Sequence, residues 1–97
     1  MFDLTGFQRD LLYVIASYDR PSGQQLKTDL EADFDREITH GRLYPNLDTL
    51  VNRGHVEKGN VDRRTNYYAL SEKGRKALAD RQEWEDRYLP FETSAGV

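Results

Sequence analysis

The chain has 97 residues, no cysteine and a formal net charge of -3, which describes one small domain without a disulfide framework, a thiolate nucleophile or a cysteine zinc site. No apolar stretch approaches the roughly 20 residues that cross a bilayer, and Met1-Phe2-Asp3 lacks the basic-then-apolar order of a secretion signal, so a soluble cytoplasmic protein is expected. The average charge hides an asymmetry: residues 1–35 carry three basic and seven acidic groups, residues 36–64 six and four, and residues 65–97 five and six. Positive charge is concentrated mid-chain. Ten Arg against four Lys, and ten Asp against seven Glu, fit either solubility in concentrated salt or drift in a short acidic chain.

The first periodic segment runs from Thr5, a suitable N-cap, to Tyr18. Phe7, Leu11, Val14, Ile15 and Tyr18 recur at helical spacing, and Leu12 and Tyr13 widen the stripe. Asp19-Arg20-Pro21-Ser22-Gly23 breaks it. A second helix is predicted from Ser22, with Gln25 completing a capping box, an apolar face of Leu26, Leu30 and Phe34, and an acidic outer face. A short turn at 36–38 leads to Thr39, which caps a third helix with Leu43, Leu47, Leu50 and Val51 on one face and Gly54 at its end. Pro45 lies inside this helix and removes a hydrogen bond to Gly41, so its first turns are expected to be irregular. Strands follow at 55–58 and 66–70, joined by a loop over 59–65. Ser71 caps a last helix reaching Leu89, stopped by Pro90. The order α-α-α-β-β-α is that of a winged helix-turn-helix. One such domain is expected over residues 1–90, with helix 71–89 serving dimerisation and a loose tail at 91–97.

The third helix turns Thr39, His40, Arg42, Tyr44 and Asn46 away from its leucines. Arg pairs with guanine and Asn with adenine at base edges in the major groove, although a solvated polar face would read the same way. Arg63-Arg64-Thr65-Asn66 puts two cations on the loop tip, suited to the minor groove or simply to solvent. Ser22, Gln24, Gln25 and Lys27 lie at or near the start of the second helix, whose free N–H groups suit a phosphate. His40 and His55 are fifteen residues apart with no cysteine near them, so no metal site is expected. No catalytic constellation or cofactor loop appears, so no enzyme and no cofactor are expected. On the last helix Gly74, Ala77, Arg81, Trp84 and Tyr88 form a seam that either meets a second copy or folds back on the first helix. A dimer would set two recognition helices roughly 34 Å apart over a near-palindromic site.

The stretches ITHGRLYPNLDTLVNRGHVEKG and DRRTNYYALSEKGRKAL resemble the PadR-like family of winged-helix transcriptional regulators. The resemblance rests on Gly41, Leu43-Tyr44-Pro45, Leu47, Leu50, Gly54, Arg63-Arg64, Tyr67-Tyr68 and Ser71-Glu72-Lys73-Gly74. The opening TGFQRDLLYVIA looks most like members from halophilic archaea. The resemblance implies a DNA-bound homodimer, with the first and last helices as interface through Leu11, Leu12, Ile15, Trp84 and Tyr88. It implies DNA contact by Arg63 and Arg64, and a role in repression or dual regulation. Some relatives bind small aromatic ligands; whether this chain has an effector is not implied. The competing expectation is a winged helix used only for protein–protein contact within a transcription complex, favoured by the acidic first two helices.

Overall fold

The computed structural model describes residues 3–89 and 91. Its elements are α1 (Gly6–Ala16), α2 (Gly23–Phe34), α3 (His40–Asn52), β1 (Val56–Asn60), β2 (Asn66–Leu70) and α4 (Glu72–Tyr88). This is the predicted order, with boundaries moved by one or two residues, as is usual at fraying ends. Pro90 and residues 92–97 of the expected tail lie outside the described residues.

Each helix starts at a side chain that accepts one of the orphan N–H groups of the first turn. Thr5, Ser22, Thr39 and Ser71 are the N-caps of α1 to α4. Gln25 completes the expected capping box on α2, and Gln8 completes another on α1 that the sequence reading missed. The first helix stops at Ala16, so Tyr18 leaves the apolar stripe; it is exposed and its hydroxyl donates to Asp29.

The core is built where α1, α2, α3 and the hairpin converge. Leu11, Leu12, Ile15, Leu26, Leu30, Ile38, Leu43, Leu47, Leu50, Val56 and Tyr68 are buried together. Ile38, read from the sequence as part of a turn, is one of them. Leu11, Leu12 and Ile15 are 0, 0 and 1 % exposed within a single chain. Their assignment to a dimer interface is therefore corrected. A domain this small consumes the whole stripe of α1 in its own core, and α1 offers a partner Tyr13, which is 41 % exposed.

Two connections fix the frame. The hairpin pairs antiparallel from Val56↔Leu70 to Asn60↔Asn66, and β2 also pairs with the segment before α2 through a bridge between Ser22 and Tyr67 and a bond from Tyr68 N–H to the Pro21 carbonyl at 2.9 Å. This ties the wing to the start of α2. At the other end, α3 closes in a Schellman motif: Gly54, at φ +82°, donates to Val51, and His55 donates to Leu50. The exposed end of this turn is capped by α4. Ser71 N–H donates to the His55 carbonyl, Ser71 Oγ to the Gly54 carbonyl at 2.6 Å, and Lys73 Nζ to the Arg53 carbonyl at 2.6 Å. Gly74 lies so close that an added Cβ would overlap the His55 carbonyl oxygen and meet Leu70 at 2.8 Å.

The His55 side chain is 5 % exposed, and among the described residues its Nδ1 has no hydrogen-bond partner. Burial, and then the positive charge of Lys73, hold its pKa below the ordinary value of 6.5.

Three outcomes follow from the fold. Gly74→Ala should lower stability by about 1–3 kcal/mol through overpacking. Gly41→Ala, where an added Cβ meets nothing nearer than 3.9 Å, should raise it by up to about 1 kcal/mol through helix propensity. Denaturation midpoints measure both. For His55, the unfolded chain binds the proton more readily than the folded one, so folding stability should be full above pH ~6.5. It should fall as pH drops below that value and level off beneath the lowered folded pKa. His55→Leu should flatten that part of the stability-versus-pH curve.

Candidate nucleic-acid interface

Buried Leu43, Leu47 and Leu50 fix which way α3 faces. The opposite stripe is Gly41, Pro45, Asp48 and Asn52, all exposed. Its N-terminal half is nearly bare, because Gly41 has no side chain and Pro45 has only a compact ring. The helix continues through Pro45 without a break. Proline leaves the Gly41 carbonyl without its helical donor, on a surface open to a partner. The space beside Gly41 is therefore not filled by this chain.

The expected contact residues flank this bare stripe on two sides. On one side Arg42 lays its guanidinium over the Phe7 ring of α1, 4.0 Å from the centroid. Asn46 beside it is half-buried. Its Oδ1 accepts from Gln8 Nε2 at 2.9 Å and its Nδ2 donates to the Arg42 carbonyl at 2.7 Å. Asn46 is thus a strut between α3 and α1, where the sequence reading expected a free base reader. On the other side His40 meets the Tyr44 ring edge-on at 5.5 Å, and the Tyr44 ring covers Gly23 at the start of α2, where an added Cβ would meet the Tyr44 hydroxyl at 2.6 Å.

Tyr44 is also one wall of a cleft of about 360 Å³ lined by Ser22, Gly23, Gln24, Arg64, Thr65, Asn66 and Tyr68. Six of the expected contact residues, drawn from α2, α3 and the wing, meet there. The N-terminus of α2 opens on this cleft, which suits an anion. Lys27, Gln25 and Thr39 stand elsewhere. Lys27 pairs with Glu31 at 2.9 Å and is largely covered. Glu31, held below the ordinary carboxylate range by the Ile38 N–H and then by Lys27, braces the turn before α3. Gln25 and Thr39 spend their side chains on capping.

The wing tip is shaped by a residue that charge patterning did not single out. Asp62 accepts from the N–H groups of Arg64 and Thr65, both at 2.9 Å, forming an Asx turn. These bonds keep its pKa below the usual value. They also turn Arg63 and Arg64 outward; both are exposed, and neither has a carboxylate partner among the described residues. The signal was present in the sequence as Asp62 two and three residues before these donors.

The second half of α4 is different in kind. Arg81 stacks over Trp84 at 4.4 Å, and Trp84 meets Tyr88 at 5.0 Å. Ala77, Arg81 and Trp84 are half-buried, Tyr88 is 69 % exposed, and the charges of Glu85 and Arg81 act on the neighbouring Tyr13. Among the described residues no group of three or more acidic, His or Cys side chains could hold a metal ion, and no helix is long and apolar enough to cross a membrane.

The model of the transcriptional regulator PadR-like family matches residues 11–80. The chain belongs to the PadR-like family. Solved structures agree. RosR of H. salinarum, in crystals grown from NaBr, is 44 % identical with a TM-score of 0.84, covering 93 % of this chain and 82 % of its own. The complex structure of RosR with S1 is also 44 % identical, at a TM-score of 0.86 over 93 % and 80 % of the two chains. A PadR-like transcription factor of Bacteroides fragilis, 18 % identical, shares the fold at a TM-score of 0.71 over 82 % and 81 %. No curated protein matches the chain in sequence. The PadR-like chain is thus similar to a regulator from a halophilic archaeon, and its own composition is Asp-rich and Lys-poor.

Proposed function

We propose that this PadR-like regulator binds double-stranded DNA sequence-specifically as a cytoplasmic homodimer on a near-palindromic operator. Helix α3 enters the major groove and the wing follows the minor groove. The observation that carries this reading is the joining of the α2 N-terminus, Tyr44 and Arg64 around one cleft, beside a helix face left bare at Gly41 and Pro45. The N–H groups and Arg64 suit the phosphate backbone, which fixes register. Arg42, with a free guanidinium edge, suits a guanine. Gly41 lets the backbone of α3 come close. FabT of Streptococcus pneumoniae, 21 % identical and with a TM-score of 0.71, has been solved in complex with DNA. The α4 aromatic stripe with Tyr13 is the proposed dimer face. It leaves Leu11, Leu12 and Ile15 to the core.

A DNA-binding selection at ~0.2 M and ~2 M KCl tests the reading. The screening length falls to about 3 Å at molar salt, so persistence at 2 M would mark adaptation to concentrated salt. Enrichment of a near-palindromic motif is expected. No motif at either salt would overturn the reading in favour of a protein-binding winged helix. On the selected site, Arg64→Ala should weaken binding to all sequences alike and reduce the salt slope by about one. Arg42→Ala should relax preference at one base pair, and Gly41→Ala should weaken binding although it stabilises the fold.

The dimer face is tested by mass. Wild type should sediment as a dimer, and Trp84→Ala with Tyr88→Ala should shift it toward monomer at micromolar concentration. An unchanged dimer would place the interface elsewhere.

A further inference from the structure

Arg42 and Asn46 lie on α3, but what holds them lies on α1. Phe7 is nearly buried, and its ring faces the Arg42 guanidinium at 4.0 Å. Stacking uses the flat face of a guanidinium and leaves its N–H donors free in the plane. That is the edge a bidentate base contact needs. Among the described residues Arg42 has no carboxylate partner, so the aromatic ring is what orders it.

Gln8 follows directly and is also nearly buried. Its Oε1 accepts from Thr5 N–H at 3.1 Å, completing the α1 capping box. The cap fixes which way the amide points, so Nε2 is the atom presented to Asn46 Oδ1. Asn46 in turn donates to the carbonyl of Arg42. The first turn of α1 therefore grips the same stripe of α3 twice, once at the Arg42 side chain and once, through Asn46, at the Arg42 backbone.

We propose that Phe7 and Gln8 are positioning residues for sequence discrimination: α1 pre-orders Arg42 in its reading conformation, so the ordering cost of a long, flexible side chain is met before DNA arrives. This rests on the reading of Arg42 as a base contact, and goes beyond it by assigning specificity to residues that do not touch DNA.

The test uses the full chain and the selected operator, together with the same duplex altered at the base pair where Arg42→Ala relaxes preference. Phe7→Met keeps apolar bulk and removes the aromatic face. It should cost about tenfold in discrimination at that base pair, while the salt slope stays that of wild type. Phe7→Tyr, which keeps the face, should restore discrimination. The double variant Phe7→Met with Arg42→Ala should discriminate no worse than Arg42→Ala alone, because both act through one contact. Full discrimination in Phe7→Met, or additive losses in the double variant, would overturn the proposal. Loss of discrimination at every base pair with an altered salt slope would also overturn it, since that marks a loosened domain. If Phe7→Met melts below the assay temperature, Gln8→Leu takes its place, with loss of preference at the same base pair expected and unchanged preference overturning. If Arg42→Ala itself relaxes nothing, the Arg42 reading fails first, visibly and on its own, and takes this inference with it.

Discussion

The structure depends on one close approach, that of α4 to the turn that ends α3. The turn needs Gly54 in a left-handed conformation, and it leaves carbonyls at Arg53, Gly54 and His55 pointing outward. Backbone carbonyls take hydrogen bonds wherever donors reach them. Lys73 and Ser71 supply them, and they reach only because Gly74 has no side chain to hold the helix off. This junction sets the direction in which α4 leaves the domain, and hence where its aromatic half stands. It also anchors His55, the residue just before the hairpin, so the wing and α4 are aimed by the same few bonds. Its cost is a buried imidazole at His55 whose Nδ1 has no partner among the described residues, and burial there disfavours the charged form.

A second tie, from Pro21 and Ser22 to β2, brings the wing to the start of α2. Without it the cations of the loop tip would be remote from the N–H groups of that helix. With it, two weak signals become one surface. A loop-tip arginine is often merely solvated, and every helix has an N-terminus. Their shared cleft with Tyr44 is what distinguishes this face from the rest of an acidic molecule. Local charge prevails over net charge here because screened charges beyond a Debye length contribute little.

Helix α1 connects these parts. Its inner side is core, its first turn holds Arg42 and Asn46, and Tyr13 near its other end lies beside Glu85 and Arg81 of α4. One short helix thus touches both the proposed reading face and the proposed dimer face. The proposed association of two chains and the proposed aim of the reading side chains share a structural element.

The sequence by itself determined the elements and their order. Caps act within three residues, and the leucine periods of α2 and α3 act within one helix, so local chemistry suffices to place Ser22, Thr39, Gly54 and Ser71. It also identified the family, because Leu43-Tyr44-Pro45 and Ser71-Glu72-Lys73-Gly74 are contiguous. Tertiary structure alone decided which apolar residues are spent inside. Leu11, Leu12 and Ile15 could have faced a partner as readily as a core, and only the packing of three helices and a hairpin consumes them. It decided that Asn46 is a strut, through a bond to a residue 38 positions away, and that Arg42 rests on Phe7. Periodicity states which face a residue is on. It does not state what stands opposite, because that depends on how separate elements approach, and the approach is set by contacts far apart in the chain.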